Sequence, residues 1–182
     1  MESQVPIEYI YPIGKKDIKS SYSADEMKEM ISQIKELCSK LIPLVEILDD
    51  KQLELSYRPN GWTIRQIIHH LADSHMNAYI RCKLAVEQGH ANILGYNHEV
   101  WAEMKDGKTA PIYSSLKLLE GLQHRWAWFL KHLEEADLNK TYFHPEYGTT
   151  VPIWEVIATY AWHGNHHYAQ IKGILERNSF FI

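Results

Sequence analysis

The sequence predicts an all-α protein, an antiparallel four-helix bundle, from two observations. Four stretches carry apolar residues at intervals of three and four, which is the period of an α-helix with one buried face. Residues that favour turns separate these stretches. The chain has 182 residues, 45% of them hydrophobic and 23% charged, which is typical of a globular protein. We therefore expect residues 1–182 to form a single domain.

The first predicted helix spans about residues 23–48 and follows an irregular N-terminal arm. Prolines and a glycine within residues 1–22 favour an extended segment that lies on the domain. Ser23 and Glu26 have the spacing of a capping box, which predicts the start of the helix. Pro43 is expected to kink the helix or to end it early.

The second predicted helix spans about residues 62–88 and carries a cluster of histidines. Thr63 is followed three residues later by Gln66, which is again a capping-box pattern. Gly89 is suited to the C-terminal cap of this helix. The histidines of this segment are His69, His70 and His75.

A long loop is predicted between the second and third helices. Residues 90–113 are too many for a simple bundle turn, and aromatic residues such as Trp101 either cover a cleft or pack on the end of the bundle. The third helix is predicted at about 115–135. Residues 142–151 indicate a short β-like segment, and the fourth helix is predicted at about 150–177, with a proline in its first turn.

Composition and charge exclude several classes of protein. A net charge of −4 leaves no large basic surface for nucleic acid. No apolar run approaches the roughly 20 residues that cross a bilayer, and the N-terminus does not have the pattern of a secretory signal. We expect a cytoplasmic protein that binds neither nucleic acid nor membrane. Cys38 and Cys82 have apolar neighbours, which indicates buried thiols and neither a disulfide nor a redox pair.

Two histidines of the fourth predicted helix indicate a metal site. His163 and His167 are four residues apart, so they share one face of the helix, and that face is otherwise apolar. Two inward imidazoles are costly to desolvate, and ligation of one metal ion satisfies both. A stable site needs at least one more protein ligand. The residue after His163 is Gly164, so this is not the H-E-x-x-H pattern of zinc peptidases.

Helical periodicity leaves the third ligand open. His69 points away from the apolar face of the second helix, which predicts a solvated side chain. His70 lies on the flank of that face, beside Ser74, and His75 lies near its middle. Periodicity alone slightly favours His75 over His70.

The histidine-containing segments together resemble the DinB-like superfamily, and most closely its YfiT-type branch. In that branch the histidine before Leu-Ala-Asp is the first metal ligand, which corresponds to His70. The two C-terminal ligands correspond to His163 and His167, so the resemblance selects His70 and not His75. It covers most of the chain and is carried by Gly-Trp-Thr at 61–63, His-His-Leu-Ala-Asp-Ser at 69–74, His-x-x-x-His-x-x-Gln at 163–170, Tyr-Pro-Ile-Gly at 11–14 and Phe-His-Pro-Glu at 143–146.

The resemblance implies one divalent ion per chain, zinc or nickel, held by three histidines in a four-helix bundle with solvent completing the coordination sphere. It also implies a homodimer and a metal-dependent hydrolase that acts on a small-molecule substrate. Other DinB-like proteins are thiol transferases that use mycothiol, bacillithiol or glutathione. A metal-dependent S-transferase with a low-molecular-weight thiol is therefore the alternative, and a metal-binding bundle without catalysis is a further one.

The ligand set is compatible with both reactions. Three neutral imidazoles leave an open position at which water would become more acidic or a thiol would be held as thiolate. The chemistry must then be decided by other groups. The weak candidates for a general base, or for a residue that hydrogen-bonds to the ligands, are Asp73, Glu146 and Gln170. Ser74, Tyr160 and His144 are further candidates. Each of these residues could instead be a solvated or packing residue.

Overall fold

A computed structural model describes residues 5–180, which form a four-helix bundle with a small sheet at its side. The four long helices are separated by short helices and by three short strands. Within the described residues the elements in chain order are α1 (Ile7–Ile10), α2 (Ala24–Val45), α3 (Asp50–Leu53), α4 (Ile64–Gln88), β1 (His90–Asn92), α5 (His98–Ala102), α6 (Lys105–Thr109), α7 (Tyr113–Lys131), α8 (Glu135–Leu138), β2 (Thr141–His144), β3 (Thr149–Pro152) and α9 (Ile153–Arg177).

The two capping boxes predicted from the sequence are confirmed. Ser23 and Thr63 each accept a hydrogen bond from the backbone three residues on, and the side chains of Glu26 and Gln66 return the bond. Helix α4 ends at Gly89, whose φ of 76° is readily adopted only by glycine. Helix α2 ends two residues after its internal proline, as expected.

The β-like segment before the last helix is confirmed, but it is longer than predicted. Strand β2 pairs antiparallel with β3, and β1 pairs parallel with β2. The predicted start of the fourth helix at about residue 150 is wrong, because residues 149–152 are hydrogen-bonded to β2 and the helix begins at Ile153. Strand β1 has three residues and no apolar alternation that the sequence could reveal.

Helices α4 and α9 pack side by side, and the apolar core divides into two clusters along them. Leu71 of α4 and Ile171 of α9 belong to one cluster. Ala78 of α4 and Ala161 of α9 belong to the other. His163 and His167 lie between these positions on α9, and His75 lies between them on α4, where His70 directly precedes Leu71. The two clusters therefore enclose a polar layer between α4 and α9.

Two expectations from composition can be compared with this architecture. Cys38 and Cys82 are buried and free, as predicted, and burial raises the pKa of each thiol to about 12. In the part of the chain that the structure describes, none of the helices is both long enough and apolar enough for a bilayer span.

The close contact of α9 with α2 depends on Gly164, which lies between the two histidines of α9. A Cβ atom at this position would lie 2.9 Å from Cδ2 of Leu37, a buried side chain of α2. By contrast, a Cβ atom at Gly121 of α7 would meet nothing within 4 Å. The glycine at 164 therefore sets how closely the histidine-bearing helix can approach its neighbour.

We expect Gly164→Ala and Gly121→Ala to have opposite effects on the free energy of unfolding. Gly121→Ala should stabilise the protein by about 0.5–1 kcal/mol, because alanine is the better helix former. Gly164→Ala gains the same helix propensity but must displace Leu37, and such overpacking costs about 1–3 kcal/mol. The free energy of unfolding of Gly164→Ala should therefore be lower than that of Gly121→Ala by about 1–3 kcal/mol. Urea unfolding of both variants measures it. Equal stabilisation by the two alanines would contradict the close packing of α9 on α2.

Candidate metal centre

Three imidazoles converge between α4 and α9. His70 comes from α4, and His163 and His167 come from α9, with one ring nitrogen of each lying within 4.8 Å of the others. The Nε2 atoms of His70 and His163 are 3.1 Å apart. Two nitrogens at about 2.0–2.1 Å from one ion are roughly 3 Å apart, so this separation suits a shared ion. Among residues 5–180, no fourth His, Cys, Asp or Glu joins this group.

Burial keeps the three imidazoles neutral. Desolvation, followed by the neighbouring imidazoles, holds the pKa of His70 and the pKa of His163 well below the ordinary value for histidine. Desolvation lowers the pKa of His167 to about 3. Metal ions bind the neutral imidazole, whose ring nitrogen has a free lone pair. The donor set therefore fits a divalent ion that accepts nitrogen ligands, such as zinc or nickel.

Gln170 fixes the tautomer of His167. Its amide nitrogen donates to the backbone carbonyl of Ile10 over 3.0 Å, so its amide oxygen faces His167. The Nδ1 atom of His167 lies 2.8 Å from that oxygen and must carry the proton, because a carbonyl oxygen only accepts. The proton on Nδ1 leaves Nε2 of His167 free for a metal ion. Gln170, a weak candidate from sequence, thus lies where it orients an imidazole and ties it to the N-terminal arm.

His75 contacts His163 from the side opposite His70. Its Nε2 atom is 3.2 Å from Nδ1 of His163, and its Nδ1 atom is 2.7 Å from the amide of Gln123 on α7. Desolvation lowers the pKa of His75 to about 3, so this ring is also neutral. Nε2 of Gln123 donates to Nδ1 of His75, so the proton of His75 is on Nε2 and points to Nδ1 of His163. Nε2 of His163 faces Nε2 of His70 on the other side.

The prediction that His69 is solvated is wrong. His69 is buried, with Nδ1 2.8 Å from Oγ of Ser115 and Nε2 3.2 Å from the carbonyl oxygen of Ala110. The segment that leads from α6 into α7 covers this face of α4. A helical wheel cannot predict that His69 is buried, because the residues that cover it are about 45 positions away in the sequence.

The three imidazoles lie in a cleft of about 630 Å³. Trp62, just before α4, packs its ring against His70 with ring centroids 4.6 Å apart. The long loop after α4 contributes to the lining with Tyr96 and His98, whereas Trp101 packs on Tyr96 with ring centroids 4.5 Å apart and is absent from the lining. Both alternatives that the sequence left open for the loop aromatics are therefore realised, by different residues.

The remaining candidates lie in different surroundings. Glu146 is exposed on the turn between β2 and β3 and lines the cleft. Asp73 is half-buried and is not part of the lining, and desolvation, followed by the charge of Asp106, raises its pKa to about 6. The hydroxyl groups of Ser74 and Tyr160 are 3.2 Å apart, and that of Tyr160 also donates to the Ser74 carbonyl. In the described structure none of these residues belongs to the group formed by the three imidazoles.

The sequence did not reveal three residues that line the cleft or contact its histidines. At Trp62 the sequence indicates only the start of a helix, and Gln123 carries no signal because it reaches His75 from another helix. Arg81 lines the cleft, and its spacing from His70 in the sequence could have indicated this. It follows His70 by eleven residues, which is about three turns, so the two side chains share one face of α4.

Comparisons with known proteins point to one family. The family model of the DinB superfamily matches residues 33–171. A protein of Bacillus mycoides (strain KBAB4), named "putative metal-dependent hydrolase", is 44% identical over 167 residues, which cover 92% of this chain and 95% of that protein. A protein of Bacillus cereus (strain 03BB102) with the same name matches equally well, at 44% identity over 167 residues. The solved structure of YfiT from Bacillus subtilis is 37% identical, with a TM-score of 0.91 over 94% of this chain and 98% of that one, and is described as "a probable metal-dependent hydrolase with an unusual four-helix bundle topology".

We expect metal content to distinguish the three grouped imidazoles from their supporting residues. His70→Ala and His163→Ala should each lose stoichiometric metal, because two imidazoles do not hold a stable ion. His75→Ala keeps the three imidazoles but removes a partner of His163, so its metal affinity should fall about 10–100-fold. Competition with a chromogenic chelator measures these affinities.

His69→Ala is the matched control, since His69 is adjacent to His70 in the chain but is bonded to Ser115. It should keep the affinity of the unmodified protein. Retention of metal by His70→Ala together with its loss from His75→Ala would show that the third ligand is His75.

Proposed function

The chain belongs to the DinB superfamily, and we propose that it is a metal-dependent hydrolase whose ion is held by His70, His163 and His167. One observation carries the proposal: three neutral imidazoles converge in a cleft without a fourth protein ligand among the described residues. A divalent ion held there would act as a Lewis acid and make water a nucleophile near neutral pH. Zinc and nickel both suit three nitrogen donors.

The charge balance of the site favours this chemistry. Three neutral ligands leave the full charge of a divalent ion in place, whereas carboxylate or thiolate ligands would reduce it. Of the cleft carboxylates, Glu99 and Glu146 are exposed and Glu155 is half-buried, and none of them joins the three imidazoles. A carbonyl oxygen of a substrate would therefore meet an undiminished positive charge.

The surrounding residues hold the imidazoles in one orientation. Gln170 keeps the proton of His167 on Nδ1, and His75 holds the ring of His163 through the contact of its Nε2 atom with Nδ1 of His163. Trp62 packs its ring against His70. These contacts fix the three nitrogens before any ligand arrives, which lowers the entropic cost of assembling the site.

The wall beside the imidazoles is polar but neutral. Tyr160 donates its hydroxyl proton to the Ser74 carbonyl, and burial raises the pKa of Tyr160, so the phenol stays protonated near neutral pH. Ser74 can therefore donate to the Tyr160 oxygen. We infer that this pair shapes the cleft and does not abstract a proton from water.

The proposal predicts hydrolysis that needs the three imidazoles and no added thiol. The assay measures release of p-nitrophenol from a panel of p-nitrophenyl esters, together with consumption of an alkylating electrophile such as monobromobimane, with and without cysteine. The intact protein should hydrolyse at least one ester in the absence of thiol. His163→Ala should lower the rate at least 100-fold, toward the uncatalysed rate.

His124→Ala is the control, because His124 is exposed on α7 and lies outside the cleft. Electrophile consumption that requires cysteine, that His163→Ala abolishes, and that occurs without ester hydrolysis would instead establish a thiol S-transferase. If His163→Ala changes neither reaction, the three imidazoles are not catalytic and the ion has a structural role.

A further inference from the structure

A buried arginine lies in the same cleft without an acidic partner. Arg81 is 7% exposed. One terminal nitrogen lies 3.3 Å from Nε2 of His144, and the other donates to the carbonyl oxygen of Leu94 over 3.4 Å. The Nε atom is buried and has no acceptor among residues 5–180. Within the same range, no carboxylate lies within 4.0 Å of the guanidinium.

Arg65, on the same helix, shows what a structural arginine looks like in this protein. It is 5% exposed, which is comparable with Arg81. Its guanidinium binds the carboxylates of Asp50 and Glu54, each over 2.8 Å, and the carbonyl oxygen of Ala110 over 3.0 Å. Arg65 is thus fully paired, as a buried charge should be for stability. The two arginines have similar burial, and only Arg81 lacks a counter-charge.

The neighbours of Arg81 add a second donor that lacks an acceptor. His144 accepts from Arg81 through Nε2, so its own proton is on Nδ1. That Nδ1 atom is also buried without an acceptor in the described chain. Burial first, and the positive charge of Arg81 second, hold the pKa of His144 below its usual range, while Glu146 opposes them. Two residues in contact therefore offer hydrogen-bond donors and one positive charge.

Arg81 and the three imidazoles belong to one cleft but not to one cluster. Eleven helical residues separate Arg81 from His70, a rise of roughly 16 Å along α4 on the same face. Ser74 lies between them on α4, its hydroxyl group is 3.2 Å from that of Tyr160, and both residues line the cleft. A small molecule at the imidazoles would extend along this polar path toward Arg81.

We propose that Arg81 and His144 form an anion subsite, and that the substrate of the hydrolase carries a carboxylate that binds there while its scissile bond lies at the three imidazoles. The position of the scissile bond at the three imidazoles rests on the proposed function. The anion subsite itself depends only on Arg81 and His144. A single positive charge beside neutral donors matches the single negative charge of a carboxylate.

Benzoate and benzamide test the subsite, because they have the same shape and differ in charge. Their binding to the metal-loaded protein and to its variants is measured by calorimetric titration. Benzoate should bind more tightly than benzamide, and Arg81→Met should weaken benzoate at least tenfold while leaving benzamide unchanged. The same loss should appear when Arg81→Met is made in the His163→Ala variant, which lacks the metal site. Benzoate that binds no better than benzamide, or that binds Arg81→Met with undiminished affinity, would overturn the proposal.

The melting temperature separates a binding role from a structural one. Arg81→Met should leave it unchanged or raise it, because a buried charge without a counter-charge weakens the fold. Arg65→Met is the matched control and should lower it. An equal decrease in both variants would show that Arg81 is structural and would overturn the proposal.

A further measurement uses the unmodified protein, so its result does not depend on whether a variant folds. The Nε–H resonance of Arg81 in the intact protein should shift on addition of benzoate and not of benzamide, and an unmoved resonance would overturn the proposal. Benzoate binding that depends on Arg81, together with hydrolysis that survives His163→Ala, would retain the subsite and reject the hydrolase site.

Discussion

The convergence of neutral imidazoles between α4 and α9 is the constraint on which the other features of the site depend. Three rings without charge must be buried, oriented and supplied with hydrogen-bond partners, and each requirement is met by a different element. Gln170 joins His167 to the N-terminal arm, and His75 joins His163 to Gln123 on α7. Because these partners come from distant parts of the chain, the bundle must be assembled before the site exists.

The cleft also contains features that weaken the fold. Arg81 is a buried charge without a carboxylate, and the imidazoles place polar rings where the adjoining core is aliphatic. Each would be more stable as an apolar residue of similar volume. Stability is supplied elsewhere, by the apolar clusters and by paired groups such as Arg65. Sites that bind charged ligands are commonly maintained at such a cost to the free energy of folding.

The sequence predicted the parts of the molecule that local patterns control. The helices and the caps at Ser23 and Thr63 follow from periodicity and capping boxes, which act within a few residues. The group formed by His70, His163 and His167 required the resemblance, because periodicity favoured His75. His69 and Gln123 were out of reach, since their surroundings are set by residues more than 40 positions away. Strand β1 is likewise held only by its partner β2.

The most direct test of this account is the position of the ion in crystals of the metal-loaded protein. Anomalous scattering recorded on either side of the zinc or nickel absorption edge locates it without reference to activity. The account predicts one peak per chain, about 2.0–2.2 Å from a ring nitrogen of His70, of His163 and of His167, with no fourth protein ligand. A peak bonded to His75 in place of His70, a site closed by a fourth protein ligand, or a peak elsewhere in the bundle would contradict it.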